Sequence, residues 1–260
     1  MKKGKKLYEG KAKIIFSTGD KNTVIQHFKD DATAFNNQKK ATLDGKGILN
    51  NRISEHILKS LTEVGIKNHL IKRINMREQL IKFVDIIPIE FVIRNIAAGS
   101  ICKRLGIEEG TVLNYPLIEY CLKDDKLGDP IISREHILNF KWLKSKELDF
   151  INQQCLRIND FVQGMFNSIK IKLVDFKVEF GKTKLNEEII LADEISPDTC
   201  RLWDKETEKK LDKDRFRKNL GNIVEAYQEV ARRLGIFHEQ SNIRPIKFTK
   251  PTAVKIKKNK

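Results

Sequence analysis

Charged side chains alternate with apolar ones in the segment LVDFKVEFG, at Asp175, Lys177 and Glu179. In a β-strand alternate residues share a face, so these three would line one side of the strand. The following apolar run, IILA, ends in Asp193 and Glu194, which a hairpin partner would bring near Glu179. Carboxylates beside a lysine suit Mg²⁺ bound to phosphates, because Mg²⁺ keeps few protein ligands. The alternative is a solvated strand face with a cross-strand Lys–Glu pair.

A second candidate site is the segment IPIEFVIRNIAAGS, in which a strand-like run ends at Arg94. Small residues follow, and a helix is predicted to begin at Ser100. A guanidinium, a hydroxyl and free backbone N–H groups could therefore converge on one anion, such as a phosphate monoester. The alternative is a serine-capped helix that follows a glycine turn, with a surface arginine nearby.

A third basic group comprises Lys11 and Lys13 in the segment GKAK, together with Lys82. These lysines could hold a polyphosphate, although surface charge is an equally simple interpretation. Neither GxxxxGK[ST] nor GxGxxG occurs in the sequence, so it has no P-loop or Rossmann fingerprint. The five histidines show no metal-ligand spacing and are interpreted as structural or solvent-exposed.

The net charge of the 260-residue chain is +15, from 50 Lys and Arg against 35 Asp and Glu. The ends carry most of it, because residues 1–13 contribute +5 and residues 241–260 contribute +7, which leaves +3 for the middle. A nucleic-acid-binding protein would explain the total charge, but the sequence contains no nucleic-acid-binding motif and few aromatics among its basic residues. We therefore expect no specific nucleic-acid partner.

Other classes of protein are also disfavoured by the sequence. No apolar run approaches the roughly 20 residues that a membrane-spanning helix needs, and no apolar segment follows the basic N-terminus as in a signal peptide. The four cysteines lie far apart without a CxxC pair, so neither a disulfide framework nor a zinc site is expected. These features predict a cytoplasmic protein with no membrane partner.

The apolar periodicity predicts an α+β protein with two lobes. An antiparallel sheet with one helix is expected over residues 1–87, a larger α/β lobe over 88–237 and a basic, flexible tail over 238–260. The lobes would meet at residues 86–88. Strands are predicted at 5–8, 11–16, 23–28, 69–74, 79–84, 89–94, 173–180 and 188–195, and helices at 47–64, 100–105, 146–169 and 213–234.

The segments IPIEFVIRNIAAGS and LVDFKVEFG resemble the two signature stretches of the SAICAR synthetase (phosphoribosylaminoimidazole-succinocarboxamide synthase) family of purine biosynthesis. The resemblance extends in order from Tyr8 to Leu234 through LYEGKAKIIF, GKGILNNRIS, KRLGIEEG, DEISPDTCRLWD and LDKDRFRKNLG. It implies an ATP- and Mg²⁺-dependent ligase that joins carboxyaminoimidazole ribonucleotide (CAIR) to L-aspartate through an acyl phosphate. It also implies a nucleotide lobe similar to the small lobe of protein kinases, with the ATP cleft between the lobes.

The resemblance further implies a role for each matching residue, with Lys13, Arg94 and Lys177 as the catalytic ones. ATP would contact Lys11, Ala12, Lys13 and Lys82, with Asp85 and Ile86 as the hinge beside adenine. Mg²⁺ would bind Glu179 and Asp193. The CAIR phosphate would contact Arg94, Ser100 and Arg201, and its ribose or base would contact Glu90, Asp175 and Lys177. Lys123 is the candidate for the aspartate carboxylates.

Two alternatives to the ligase remain at this point, a small-molecule kinase on the same two-lobed scaffold and the nucleic-acid-binding protein. Soluble metabolic enzymes are commonly homo-oligomers, so a homodimer is expected. The chain departs from the family at Phe35-Asn36-Asn37, where relatives often have an acid or a glycine, and the segment 238–260 lies beyond the family's usual end.

Overall fold

The computed structural model describes residues 3–34 and 39–236 of the chain. The expectations for Phe35-Asn36-Asn37 and for the basic tail 238–260 lie outside these residues. Within them, none of the helices is long and apolar enough to cross a membrane.

The N-terminal part of the chain forms a five-stranded antiparallel sheet with the order β1-β2-β3-β7-β6. A separate hairpin pairs β4 with β5, and helix α1 follows it. The bounds are β1 (Lys6–Glu9), β2 (Lys13–Ser17), β3 (Thr23–Phe28), β4 (Asp31–Ala34), β5 (Lys39–Thr42), α1 (Lys46–Glu63), β6 (Leu70–Arg73) and β7 (Glu78–Lys82).

The rest of the described chain forms a second antiparallel sheet with the order β10-β9-β8-β11-β12, in which β13 also pairs with β11. Its strands are β8 (Val84–Ile96), β9 (Val112–Leu122), β10 (Ile131–Ile132), β11 (Ile171–Thr183), β12 (Ile189–Ala192) and β13 (Cys200–Asp204). The accompanying helices are α2 (Ser100–Leu105), α3 (Arg134–Asn139), α4 (Ser145–Ser168), α5 (Asp214–Arg217) and α6 (Ile223–Arg233). The two-lobed α+β architecture is therefore confirmed.

The main hydrophobic core lies between the second sheet and helices α1, α4 and α6. Helix α4 contributes apolar residues three or four positions apart, which form one stripe along the helix. These buried residues are Leu148, Ile151, Cys155, Ile158, Val162 and Phe166. The strand β11 packs Phe176, Val178 and Phe180 into the same core, so its alternate side chains are free to face the other way.

Backbone hydrogen bonds join the two sheets directly. The N–H of His69 donates to the carbonyl of Leu191 at 2.9 Å, and the N–H of Leu191 donates to the carbonyl of Lys67 at 3.0 Å. The N–H of Lys82 in turn donates to the carbonyl of His69 at 2.7 Å. The edge of the first sheet is thus connected to β12, the strand that immediately precedes Asp193.

The predicted break between lobes at residues 86–88 lies inside one continuous 13-residue strand, β8. Pro88 has no backbone N–H and interrupts strand pairing in most contexts. Here it falls in a bulge, because Gly181 pairs with Ile86 while Glu179 pairs with Glu90. The strand therefore continues past the proline and connects the two lobes.

The predicted helix 213–234 is wrong as a single element, since the structure has two helices, α5 and α6. The three residues Asn219, Gly221 and Asn222 between them have φ values of 57°, 68° and 46°. This left-handed conformation ends a right-handed helix, and Gly and Asn tolerate it better than most residues.

Candidate active site

A cleft of about 2310 Å³ lies between the two sheets and contains most of the predicted site residues. From the first lobe it is lined by Lys11, Ala12, Lys13 and Lys82. Along the second sheet and its connecting segments it is lined by Ile86, Glu90, Arg94, Lys123, Asp175, Lys177, Glu179, Asp193 and Arg201. Asp85 and Ser100 are the predicted residues that do not line it.

Lys177 lies at the centre of a group of carboxylates in this cleft. Its Nζ contacts Oε1 of Glu179 at 2.5 Å and Oε1 of Glu90 at 2.8 Å, and lies 3.7 Å from Oδ2 of Asp193. Glu90 and Glu179 are opposite each other on β8 and β11, whereas Asp193 follows the end of β12. The strand pairing therefore brings together three carboxylates that are far apart in sequence.

Two further lysines neutralise the same carboxylates. Lys123 pairs with Oε2 of Glu179, and Lys13 pairs with Asp193. Lys13 also lies 3.3 Å from Oε1 of Glu194. Because Lys13 belongs to the first lobe and Asp193 to the second, this ion pair crosses the cleft.

The buried charges of this group stabilise one another. Burial alone would raise the pKa of Glu179, but nearby Lys177 and Lys123 outweigh it and lower the pKa to about 2. Burial would lower the pKa of Lys177, but Glu179 and Glu90 raise it above its ordinary value. Burial lowers the pKa of Lys13, and Glu194 and Glu179 offset only part of this effect. At neutral pH Glu179 is therefore ionised.

A Mg²⁺ ion fits the carboxylate group by its charge and its donor atoms. In the described residues no three His, Cys, Asp or Glu side chains form a ready-made metal site. Mg²⁺ does not require one, since it commonly binds one or two carboxylates, waters and substrate phosphates. The ammonium of Lys177 already lies between Glu179 and Asp193, so this position accepts a cation. Asp193 has a φ of 62°, which Asp tolerates in a tight turn.

One end of the cleft contains the turn between β1 and β2. Lys11 in this turn pairs across the cleft mouth with Oδ1 of Asp125 at 2.6 Å. Ile86 lines the cleft, but the side chain of Asp85 is exposed and pairs with Lys184 outside it. Of the two residues expected at the hinge, only Ile86 therefore presents its side chain to the cleft.

His69 is a cleft residue that the sequence interpretation missed. Its side chain is buried, and Nε2 has no hydrogen-bond partner in the described part of the chain. Burial, together with the positive charges of Lys13 and Lys82, lowers the pKa of His69 to about 3. The imidazole is therefore neutral at pH 7. No sequence signal marks this residue, because its surroundings come from several distant elements.

Arg94 and Arg201 converge on the carboxylate of Asp175 at the other end of the cleft. Nη1 of Arg94 donates to Oδ2 of Asp175 at 2.7 Å, and Nη1 of Arg201 donates to the same oxygen at 2.8 Å. Nη2 of Arg94 lies 3.2 Å from Oγ of Ser100. The structure thus brings together the two arginines and the serine that were expected to contact one phosphate, although Ser100 does not itself line the cleft.

Gly99 is required by the position of Arg201. A Cβ atom at residue 99 would lie 2.5 Å from Nη2 of Arg201, which is shorter than the van der Waals contact distance between carbon and nitrogen. Gly99 also has a φ of 68°, in the left-handed region that favours glycine. The AAGS sequence therefore makes room for the guanidinium beside Ser100.

Two carboxylates that the sequence interpretation missed support these arginines. Oε2 of Glu119 accepts from Nε of Arg94 at 2.7 Å, and Oδ2 of Asp214 accepts from Nε of Arg201 at 3.0 Å. Burial would raise the pKa of Asp214, but Arg201 and Arg217 outweigh it and lower the pKa to about 2. Asp214 lies in the recognised segment LDKDRFRKNLG, whereas Glu119 lies on β9, a strand that the sequence did not predict.

Comparisons with known proteins agree with this geometry. A family model described as SAICAR synthetase matches residues 6–234. A phosphoribosylaminoimidazole-succinocarboxamide synthase from Pelagibacter ubique is 69% identical over 260 residues, which cover 99% of this chain and 100% of the relative. The corresponding protein from Sphingopyxis alaskensis is 59% identical and covers 92% of this chain and 93% of its own length.

Solved structures give the same result. The crystal structure of the synthase from Ehrlichia chaffeensis superposes with a TM-score of 0.89 at 54% identity, covering 90% of this chain and 100% of that chain. A SAICAR synthetase (Type-2) in complex with ADP superposes with a TM-score of 0.85 at 44% identity, covering 87% of this chain and 96% of that chain. The match therefore includes both lobes and the cleft between them.

Proposed function

The chain belongs to the SAICAR synthetase family, and from this premise we propose how its cleft carries out the family's reaction. It is an ATP-dependent ligase of purine biosynthesis that forms an amide between CAIR and L-aspartate. The observation that supports the assignment of residues is the cleft itself. One end holds lysines and carboxylates suited to Mg²⁺ and a polyphosphate, and the other holds paired arginines suited to a phosphate monoester.

We propose that residues 1–87 form the ATP-binding lobe and residues 88–237 the lobe that binds the other substrates and the metal. Lys11, Ala12, Lys13 and Lys82 would contact the ATP phosphates, and the backbone at Asp85 and Ile86 would lie beside adenine. The positions of the three lysines along the cleft wall support this assignment, because they offer positive charge to an anionic nucleotide.

Glu179 and Asp193 are our proposed Mg²⁺ ligands. Mg²⁺ bound there would neutralise charge on the transferring phosphoryl group. Lys177 would then leave its place between the two carboxylates, while its contact with Glu90 would keep it near the reacting atoms. The flexible four-carbon stem of lysine permits this movement.

Arg94, Ser100 and Arg201 are proposed to bind the CAIR phosphate, and Glu90, Asp175 and Lys177 its ribose or base. Arginine suits this role because its guanidinium is always charged and presents its N–H donors in one fixed plane. The shared contact of both arginines with Asp175 supports the assignment, since it holds the two guanidiniums close to each other.

The chemistry requires activation of the CAIR carboxylate, which is a poor electrophile at neutral pH. Transfer of the γ-phosphoryl group from ATP gives an acyl phosphate and ADP. The amine of L-aspartate then attacks the acyl carbon, and inorganic phosphate leaves. We propose that Lys13, Lys177 and Arg94 assist by positioning the groups and by stabilising the negative charge that develops on their oxygens.

For L-aspartate we propose Lys123, whose ammonium lies at the cleft beside Glu179. Its side chain is more exposed than those of Lys13 and Lys177, so a substrate carboxylate can reach it. We further propose that the enzyme is cytoplasmic, acts as a homodimer, and has neither a specific nucleic-acid partner nor a membrane partner.

A coupled assay for ADP tests the reaction. ADP formation should require both CAIR and L-aspartate, and inorganic phosphate should appear in equal amount. ADP formation without either substrate would contradict the ligase. A phosphorylated product in place of released phosphate would instead indicate a small-molecule kinase on the same scaffold.

A further inference from the structure

Seven charged side chains of alternating sign form one continuous series of ion pairs at the phosphate end of the cleft. We call it the arginine–carboxylate chain. In order, its members are Arg104, Glu119, Arg94, Asp175, Arg201, Asp214 and Arg217. Of its three carboxylates, only Asp175 lines the cleft, and Glu119 and Asp214 contact the arginines from outside it.

The two central arginines are held in the same way. In each, Nε donates to an outer carboxylate, at 2.7 Å from Arg94 to Glu119 and at 3.0 Å from Arg201 to Asp214. In each, Nη1 donates to Asp175. The remaining nitrogen, Nη2, lies beside Ser100 in Arg94 and beside Gly99 in Arg201. The Nε and Nη1 contacts of the two arginines are thus matched on the two sides of Asp175.

This arrangement determines the orientation of both guanidinium planes. A guanidinium has five donors in one rigid plane, so fixing Nε and Nη1 also fixes Nη2. An arginine without such contacts loses rotamer entropy when it becomes ordered on a ligand. The outer carboxylates are themselves well buried, with side-chain exposures of 10% for Glu119 and 2% for Asp214.

We propose that Glu119 and Asp214 are positioning residues that orient Arg94 and Arg201 for the phosphate group of the ribonucleotide substrate. This inference rests on the proposed function, in which these two arginines bind that phosphate. Neither carboxylate touches the substrate, so each acts only through its arginine.

Glu119→Gln is the first test, because glutamine keeps the shape of the side chain and removes its charge. The KM for CAIR should rise about 10-fold to 100-fold, as expected for the loss of a buried hydrogen bond between charged groups. The KM for ATP should change less than about twofold, since Arg94 is proposed to contact CAIR and not the nucleotide, and any fall in kcat should be smaller than the rise in the KM for CAIR. Glu108→Gln, at an exposed position, is the matched control and should leave all three constants unchanged.

A double-mutant cycle separates positioning from a general structural role. In an Arg94→Gln background, Glu119→Gln should raise the KM for CAIR no further, because the residue through which it acts is gone. Additive effects in the double variant would overturn the proposal, and so would a KM for CAIR in Glu119→Gln equal to that of Glu108→Gln. Asp214→Asn with Arg201→Gln provides a second, independent cycle if a Glu119 variant fails to fold.

Failure of the proposed function would look different. In that case Arg94→Gln itself would leave the KM for CAIR unchanged, whatever the behaviour of Glu119→Gln. If Arg94→Gln raises this KM and Glu119→Gln does not, the phosphate site stands and the positioning role is wrong.

Discussion

The two ends of the cleft neutralise buried charge with different side chains. At the metal end three lysines face four carboxylates, a formal balance of −1, and these are Lys13, Lys123 and Lys177 with Glu90, Glu179, Asp193 and Glu194. At the phosphate end the arginine–carboxylate chain has four arginines and three carboxylates, a formal balance of +1. The sign at the metal end is therefore opposite to that of the proposed Mg²⁺, and the sign at the phosphate end is opposite to that of the proposed CAIR phosphate.

Lysine and arginine differ in how firmly their contacts fix the side chain, and this difference fits the ligand proposed for each end. A lysine makes point contacts from a flexible stem, so it can move away when a metal ion and nucleotide phosphates arrive. An arginine with both Nε and Nη1 engaged stays in one plane. We therefore expect the metal end to rearrange during turnover and the phosphate end to be organised before the substrate binds.

The largest effect is expected at the metal end, from Glu179→Gln or Asp193→Asn. Each change removes a proposed metal ligand, so turnover should fall at least about 10³-fold while the fold remains intact. ADP formation and far-ultraviolet circular dichroism measure the two outcomes. Glu206→Gln, at an exposed site, is the control. A fully active Glu179→Gln/Asp193→Asn double variant would contradict the metal assignment.

A smaller effect is expected when an arginine at one end is replaced by lysine, or a lysine at the other end by arginine. Arg201→Lys keeps the charge but cannot contact Asp175 and Asp214 in the same fixed plane, so the KM for CAIR should rise about 10-fold to 100-fold. Lys123→Arg at the metal end should change each KM less than about fivefold, because that end makes adaptable point contacts. Steady-state kinetics on both variants measures these KM values. Similar increases in KM for the two variants would contradict the proposed difference between the two ends.

The smallest effect concerns the dependence of stability on pH. The pKa of Glu179 is about 2 in the folded protein against an ordinary value of 4.5, so its stabilising contribution is complete above pH 4.5 and is lost as the pH falls towards 2. Asp214 behaves likewise, with a pKa of about 2 against 3.8. Each group contributes a slope of up to about 1.4 kcal/mol per pH unit in that window.

Urea unfolding between pH 6 and pH 3 measures these slopes. Glu179→Gln should flatten the decline below pH 4.5, and Asp214→Asn should flatten it below pH 3.8. Slopes equal to that of the unchanged protein would show that the pKa of that carboxylate is not lowered on folding.

The spacing of apolar and charged residues in the sequence predicted those strands and helices that bury one face. The charge alternation in β11 and the apolar stripe of α4 both follow from burial of a single face, and both elements lie close to their expected positions. The strand β9 was missed because its first half contains Asn114 and Pro116. These residues belong to an irregularity in which Val112 pairs with Ile96 and Leu117 pairs with Arg94.

The site was predictable where its residues share a motif and not where only tertiary contacts unite them. Arg94 and Ser100 lie six positions apart and could be recognised together. Glu119 and Asp214 contact arginines that are 25 and 13 positions away in sequence. Glu119 lies on β9, which was not predicted, and Asp214 lies on α5, which was predicted as part of one longer helix. The position of His69 in the cleft depends on burial by several elements, which no local pattern specifies.

The backbone hydrogen bonds between residues 67–69 and Leu191 join the first sheet to β12 of the second sheet, so the two lobes are connected at the back of the cleft. A hinge-like separation of the lobes would have to break these bonds in a region with little water, where unpaired amides are costly. We therefore expect the backbone of residues 67–69 to stay beside Leu191 through each catalytic cycle while the side chains of the cleft rearrange. At the front of the cleft the two lobes are joined by side-chain contacts, among them the pair of Lys11 and Asp125, so we expect nucleotide to enter and leave there.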